Sequence, residues 1–190
     1  MKNLIPFNRP FITKNKSIKL DGLNNFANDG KYTKLCENFL KKKYSAPDII
    51  LTHSCTGALE VAALCLNLKK NDEILIPSYT FVSTANAFAL RDAKIKFLDV
   101  SSSTLNITYE EIRKNITSQT KAIVVVHYNG YSEDIDKISN LAKKKKIILI
   151  EDCAHAIFHK FKNRYLGTFG DFSTFSFHET KTFIVVLEGL

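Results

Sequence analysis

Cysteine is scarce in this chain: 190 residues carry only four. Cys36, Cys55, Cys65 and Cys153 show no C-x-x-C spacing, and each lies in an apolar or helical context that needs no bridge. The pattern predicts reduced thiols and a cytoplasmic setting. No stretch approaches the roughly 18 consecutive apolar residues of a membrane span. Met1-Lys2-Asn3-Leu4-Ile5-Pro6-Phe7 carries a charge and no apolar run of signal-peptide length, so neither an anchor nor a leader is expected. Internal repeats, low-complexity tracts and Gly/Ser linkers are also missing. A hydrophobic content of 45% is enough for one sizeable core. Acidic residues are the minority charge, 19 against 27 Lys and Arg, for a net +8. The excess is scattered except at Lys41-Lys42-Lys43 and Lys143-Lys144-Lys145-Lys146, each after a helical-looking segment. Lysines there cover a solvated face or complement the negative helix end. Without basic and aromatic residues interleaved, nucleic acid is not an expected partner.

What is present is an alternation of strands and helices. Asp48-Ile49-Ile50-Leu51-Thr52 reads as a short strand, followed by a helix from Thr56 to Leu68. Glu73-Ile74-Leu75-Ile76-Pro77 and Ile95-Lys96-Phe97-Leu98-Asp99 read as strands bracketing an Ala-rich helix from Val82 to Arg91. The stretches from Lys121 to His127 and from Ile147 to Glu151 are near-continuous apolar runs, as in strands buried on both faces. A crossover helix from Ile135 to Lys145 fits between them. Phe172-Ser173-Thr174-Phe175-Ser176-Phe177 alternates as a further strand. The repeated unit predicts an α/β fold, a mostly parallel sheet covered by helices on both sides.

Ligands of such sheets bind beyond the carboxyl ends of the strands, which makes the residues after each apolar run informative. His53-Ser54-Cys55-Thr56-Gly57-Ala58 opens a helix with small residues and unpaired N–H groups, which suits a phosphate. An ordinary Ser or Thr N-cap accounts for the same residues. Tyr79 and Phe81 can stack on a flat heteroaromatic ring or pack on the following helix. Asp152 follows four aliphatics, where a carboxylate needs a cation or several donors. A protonated pyridine nitrogen meets that need, as does a helix start capped by the acid. His155 and His159 have the i, i+4 spacing of metal helices but lack the accompanying glutamate, and no metal is expected. The last strand delivers His178 and Lys181 to its end. Phosphate cap, stacking aromatic, acid and lysine coincide at one sheet edge, which suggests an aldehyde cofactor held by Lys181 as a Schiff base, pyridoxal 5'-phosphate. The rival reading, a nucleotide-binding α/β protein, finds no G-x-G-x-x-G or Walker sequence to support it.

These residues form longer motifs: Ser54-Cys55-Thr56-Gly57-Ala58-Leu59-Glu60, Pro77-Ser78-Tyr79-Thr80-Phe81-Val82-Ser83-Thr84-Ala85-Asn86-Ala87, Val126-His127-Tyr128-Asn129-Gly130, Glu151-Asp152-Cys153-Ala154-His155, and Gly167-Thr168-Phe169-Gly170 leading to Ser176-Phe177-His178-Glu179-Thr180-Lys181. In this order the chain resembles the DegT/DnrJ/EryC1/StrS sugar aminotransferases, especially those acting on nucleotide-linked 4-keto-6-deoxyhexoses. The resemblance implies the three-layer large domain of an aspartate-aminotransferase-like (fold type I) enzyme. It implies that Lys181 holds the cofactor, Asp152 pairs with the pyridine nitrogen and Phe81 stacks on the ring. Thr56, Gly57 and Ser176 would hold the phosphate, with His155 beside Asp152. The implied reaction moves an amino group from glutamate to a nucleotide-linked keto-deoxy sugar, dTDP-4-keto-6-deoxyhexose in particular, for a surface polysaccharide such as O-antigen. A homodimer is implied for the full-length family, with no membrane or nucleic-acid partner. After Lys181 the family continues with Asn and a Gly-Glu-Gly-Gly segment, whereas this chain reads from Thr182 to Leu190. The expectation is therefore an N-terminal portion of the large domain: arm and helices over 1–45, sheet and cofactor motifs over 46–181, and an aberrant tail over 182–190, with the small domain absent. A catalytically inactive fragment is the alternative reading.

Overall fold

The computed structural model describes residues 30–178 and residue 181, so most of the N-terminal arm and the 182–190 tail lie outside the described residues. The described chain forms two compact units, residues 52–176 and residues 30–51 together with 177, 178 and 181.

In the smaller unit, α1 (Lys31–Tyr44) buries Leu40 and Tyr44 and ends on Ser45 in the left-handed region, φ 51°. Lys41, Lys42 and Lys43 fill its last turn, where the helix end is negative. The strand expected over 48–52 does not form. The Ile49 N–H donates to the Asp48 carboxylate and the Leu51 N–H to the Glu37 carboxylate, each at 3.0 Å. Side-chain oxygens thus take donors that a ladder would use, and Ile50 is 70% exposed instead of in a core.

The larger unit is built on five parallel strands: β1 (Glu73–Pro77), β2 (Lys94–Leu98), β3 (Thr120–Val126), β4 (Ile148–Cys153) and β7 (Phe172–Phe175). Their order is β2-β1-β3-β4-β7. The apolar runs alternate between two cores, as side chains of a strand must. Ile74, Ile76, Ala122, Val124 and Ile150 pack against α2 (Cys55–Cys65) and α3 (Val82–Ala89). Leu75, Ile123, Val125 and Leu149 pack against α4 (Tyr109–Asn115) and α5 (Ile135–Lys145). Helix, sheet and helix make three layers, which is why β1, β3 and much of β4 tolerate no polar face. Lys143, Lys144 and Lys145 occupy the last turn of α5, again at the negative end. Among the described residues, no helix is long and apolar enough to cross a membrane.

Two elements escape the pattern of long apolar runs. The seven-residue α4 starts on Thr108, whose hydroxyl accepts from the Glu111 N–H at 3.2 Å. β5 (Lys160–Phe161) and β6 (Arg164–Tyr165) form a two-residue antiparallel hairpin between β4 and β7. The chain leaves β1 toward β2 over one face, then returns to place β3 on the other side of β1 and leaves it over the opposite face. The carboxyl ends of β1 and β3 therefore flank a topological switch point, where α/β sheets take their ligands.

Candidate active site

Asp152 lies within β4, one residue before its end, and is 4% exposed. No helix follows it, so it is not a helix cap. Its Oδ2 accepts from the Thr84 hydroxyl of α3 at 2.8 Å, and its Oδ1 from the Ala154 N–H at 3.1 Å. Both donors are neutral, and among the described residues the carboxylate has no ion-pair partner. In register beside it on β7 stands Thr174, whose buried hydroxyl has no hydrogen-bond partner among the described residues.

Ser54 caps α2, its hydroxyl accepting from the Gly57 N–H at 3.1 Å. The capping explanation therefore holds for Ser54, and it leaves the Thr56 N–H among the first groups of the helix with no intrahelical acceptor. The Thr56 hydroxyl donates to Ser83 Oγ of α3 at 2.9 Å. Gly57 is buried beneath His53, and a Cβ there would lie 2.8 Å from the imidazole Cε1. Ser176 is buried one residue past β7, the strand against which α2 packs.

Phe81 precedes α3 and is 73% exposed, so packing against the following helix does not account for it. Tyr79, from the same loop, spans the switch point: its hydroxyl is hydrogen-bonded to that of Tyr128 at 3.1 Å, with ring centroids 4.8 Å apart. This hydrogen bond, with burial, holds the Tyr128 phenol above its ordinary pKa. His155 completes the wall, its ring centroid 5.1 Å from that of Tyr128 and its Nδ1 accepting from the Asn129 N–H at 3.4 Å. Residues 154–155 and 157–158 are turns, so His155 and His159 do not share a helix face. The structure thus gathers Thr56, Gly57, Phe81, Asp152, His155 and Ser176 in one unit. Lys181 belongs to the other, where its N–H donates to the His178 carbonyl at 2.8 Å.

Sequence reasoning gave Glu151 no role, although the structure makes it the most heavily hydrogen-bonded acid described. It points to the face opposite Asp152, as neighbours on a strand do. Oε1 accepts from the N–H groups of Phe169 at 2.6 Å and Gly170 at 2.7 Å, and Oε2 from Gly167 at 2.8 Å. His127 Nε2 lies 2.8 Å from Oε2 with both side chains fully buried. A carboxylate only accepts, so this nitrogen carries the hydrogen. Burial pushes the Glu151 carboxyl upward, but the His127 contact and the Gly167 and Gly170 donors outweigh it and hold the group below its ordinary pKa. Cys153, on the same face, is pushed well above the ordinary thiol value by burial, then by the Glu151 and Asp152 charges. His127, Glu151 and Cys153 bring potential ligand atoms within 4.8 Å of one another, but four hydrogen bonds already occupy the carboxylate.

The model of the DegT/DnrJ/EryC1/StrS aminotransferase family matches residues 15–189. GDP-perosamine synthase of Escherichia coli O157:H7 is 35% identical over 181 residues, 94% of this chain and 50% of the synthase. The putative sugar aminotransferase Spr1654 from Streptococcus pneumoniae, solved in PLP- and PMP-forms, superposes with a TM-score of 0.85 at 27% identity, covering 95% of this chain and 50% of that one. Helicobacter pylori PseC, an aminotransferase involved in the biosynthesis of pseudoaminic acid, gives a TM-score of 0.83 at 28% identity over 94% of this chain and 49% of that one. Measured against the curated relatives, the chain spans between 35% and 50% of their length. With the parallel sheet and both helix layers in place, these matches establish that the chain belongs to the DegT/DnrJ/EryC1/StrS aminotransferase family, which is PLP-dependent.

Proposed function

We propose that the larger unit is the cofactor-holding part of a pyridoxal-phosphate aminotransferase acting on a nucleotide-linked keto-deoxy sugar. Glutamate is the proposed amino donor, dTDP-4-keto-6-deoxyhexose the proposed acceptor, and a cytoplasmic homodimer serving surface-polysaccharide synthesis the proposed setting. The observation that carries this reading is Asp152: a buried carboxylate with two neutral donors and, among the described residues, no ion-pair partner, at the ligand-binding edge of the sheet. The residues present fit the cofactor. A cationic pyridine nitrogen would supply the opposite charge that Asp152 needs, and the Thr174 hydroxyl, without a hydrogen-bond partner among the described residues, marks the neighbouring position as a place for a polar group.

When bound, the cofactor supplies an electron sink for the carbon that loses its proton. The protein's own work is binding, orientation and proton transfer. Asp152 would hold the ring nitrogen, and the exposed ring of Phe81 would stack on the cofactor. Thr56 and Ser176 would line the phosphate position, where the start of α2 offers N–H groups and a positive helix end, and Gly57 keeps that turn free of a side chain. His155 orients beside Asp152. Lys181 Nζ would be the group that holds the cofactor by its aldehyde, and its amine would be the base that moves the proton. A lysine suits both tasks because its amine is a nucleophile when neutral and a proton carrier when charged.

Titrating the protein with pyridoxal phosphate and following its visible absorption tests the reading. Saturable binding weakened at least about tenfold by Asp152→Asn is expected, since a hydrogen bond between charged groups is lost. Equal affinity in both proteins would overturn the assignment of Asp152.

A further inference from the structure

We propose that Thr84 is the positioning residue of this site, a single hydroxyl that fixes the Asp152 carboxylate and ties it to the loop carrying Phe81. The inference rests on the reading of Asp152 given above. Thr84 is fully buried in the first turn of α3, 68 positions from Asp152 in the chain. A buried threonine in a helix ordinarily satisfies its hydroxyl on a carbonyl of its own preceding turn. Thr84 instead spends its hydrogen on Asp152 Oδ2, at 2.8 Å.

That bond runs one way, because an ionised carboxylate only accepts, and the other contact of the hydroxyl agrees with it. The Thr80 hydroxyl donates to Thr84 Oγ1 at 2.9 Å and occupies one of its lone pairs. The one hydrogen of Thr84 is then left for Asp152. The Thr84 N–H donates to the Phe81 carbonyl at 3.0 Å, so the residue that holds the acid also holds the backbone of the proposed stacking ring. From the other side, the Ala154 N–H takes Oδ1 at 3.1 Å. With one donor on each oxygen, the carboxylate plane is fixed before any ligand arrives, the preorganisation a charged recognition group needs. Ser83, the neighbour of Thr84, accepts from Thr56, so the first turn of α3 touches both the proposed phosphate end and the proposed ring end of the site. Valine would fill the same volume as threonine in this apolar layer, which leaves the hydroxyl as the property the position needs.

The experiment compares the wild type with Thr84→Val, Thr84→Ser, Thr80→Val and Asp152→Asn in the full chain. Three quantities are read: thermal unfolding without cofactor, the dissociation constant for pyridoxal phosphate, and the pH profile of the bound chromophore. Thr84→Val is expected to weaken binding about tenfold and to shift the pH profile, while Thr84→Ser stays within about threefold of wild type. Thr80→Val, at the half-exposed end of the chain of hydroxyls, is expected to act in the same direction by about twofold to threefold. If Asp152→Asn weakens binding and Thr84→Val leaves both affinity and pH profile at wild-type values, the positioning role is refuted and Asp152 stands. If Asp152→Asn changes nothing, or the wild type does not bind, both readings fall together. Should Thr84→Val not fold, Thr80→Val decides, and a wild-type affinity there overturns the proposal.

Discussion

Replacing Glu151 probes how the larger unit is held together. Glu151→Leu keeps the bulk but removes the acceptor for three backbone N–H groups, those of Gly167, Phe169 and Gly170, and the partner of buried His127. Each buried donor left unpaired costs about 1–3 kcal/mol. Phe169 is buried and the two glycines are partly reachable by water, so the lower part of that range applies to them. With four donors losing their acceptor, a loss of at least about 4 kcal/mol follows. Glu151→Gln keeps an acceptor at one end but turns an NH2 toward donors at the other, and about half that loss is expected. Urea unfolding followed by circular dichroism at neutral pH measures it: with a slope of about 1–3 kcal/mol per molar, the midpoint for Glu151→Leu falls by at least about 1 M. The pH dependence has a definite sign. Because the folded-state pKa of Glu151 is lowered, its contribution is present above the ordinary carboxyl range, about 4.3, and is lost as pH falls through the lowered value. A Glu151→Leu variant within about 0.5 kcal/mol of wild type, or a deficit that grows on acidification, would refute the reasoning.

Gly167→Ala combines two faults, a backbone φ of +89° and a Cβ that collides with the Phe175 ring while lying 3.2 Å from Cys153 Sγ. A loss of about 2–4 kcal/mol is expected from thermal unfolding, and an unchanged midpoint would show that the loop can relax. The four cysteines should differ sharply toward a thiol reagent. Cys36 and Cys65 are exposed and should react in the native protein, whereas Cys153, buried with its pKa pushed up, should react only on unfolding. Native labelling of Cys153 at the rate of Cys36 would contradict its placement.

Much of the fold is legible in the sequence because strands buried on both faces leave an unmistakable mark. Glu73 to Pro77 and Ile135 to Lys145 read directly as the elements they form, since an aliphatic run and an amphipathic stretch between two strands admit little else. The residues around 49–51 have equal apolarity but no neighbouring strand to complete them, and pairing is not a local property. α4 is too short for periodicity, although Thr108 and Glu111 stand at capping-box spacing. At the site, Asp152 is conspicuous as an acid after aliphatics. Its holder Thr84 is not, because nothing local distinguishes that threonine from any other in a helix. Glu151 was visible as an acid in an apolar run, but its four partners lie 16 to 24 positions away and meet it only after folding. Between the rivals, folding adds only that Ser54 caps α2 and that Phe81 is too exposed for packing to account for it.

The central claim, that this chain holds pyridoxal phosphate through Lys181, has a direct chemical test. The protein is mixed with the cofactor, reduced with borohydride to make the lysine adduct permanent, digested, and mapped by mass spectrometry. The account predicts one dominant phosphopyridoxyl group, on the peptide containing Lys181, and its loss in Lys181→Ala. A label spread over surface lysines such as those at 41–43 and 143–146, or unchanged in Lys181→Ala, would contradict it.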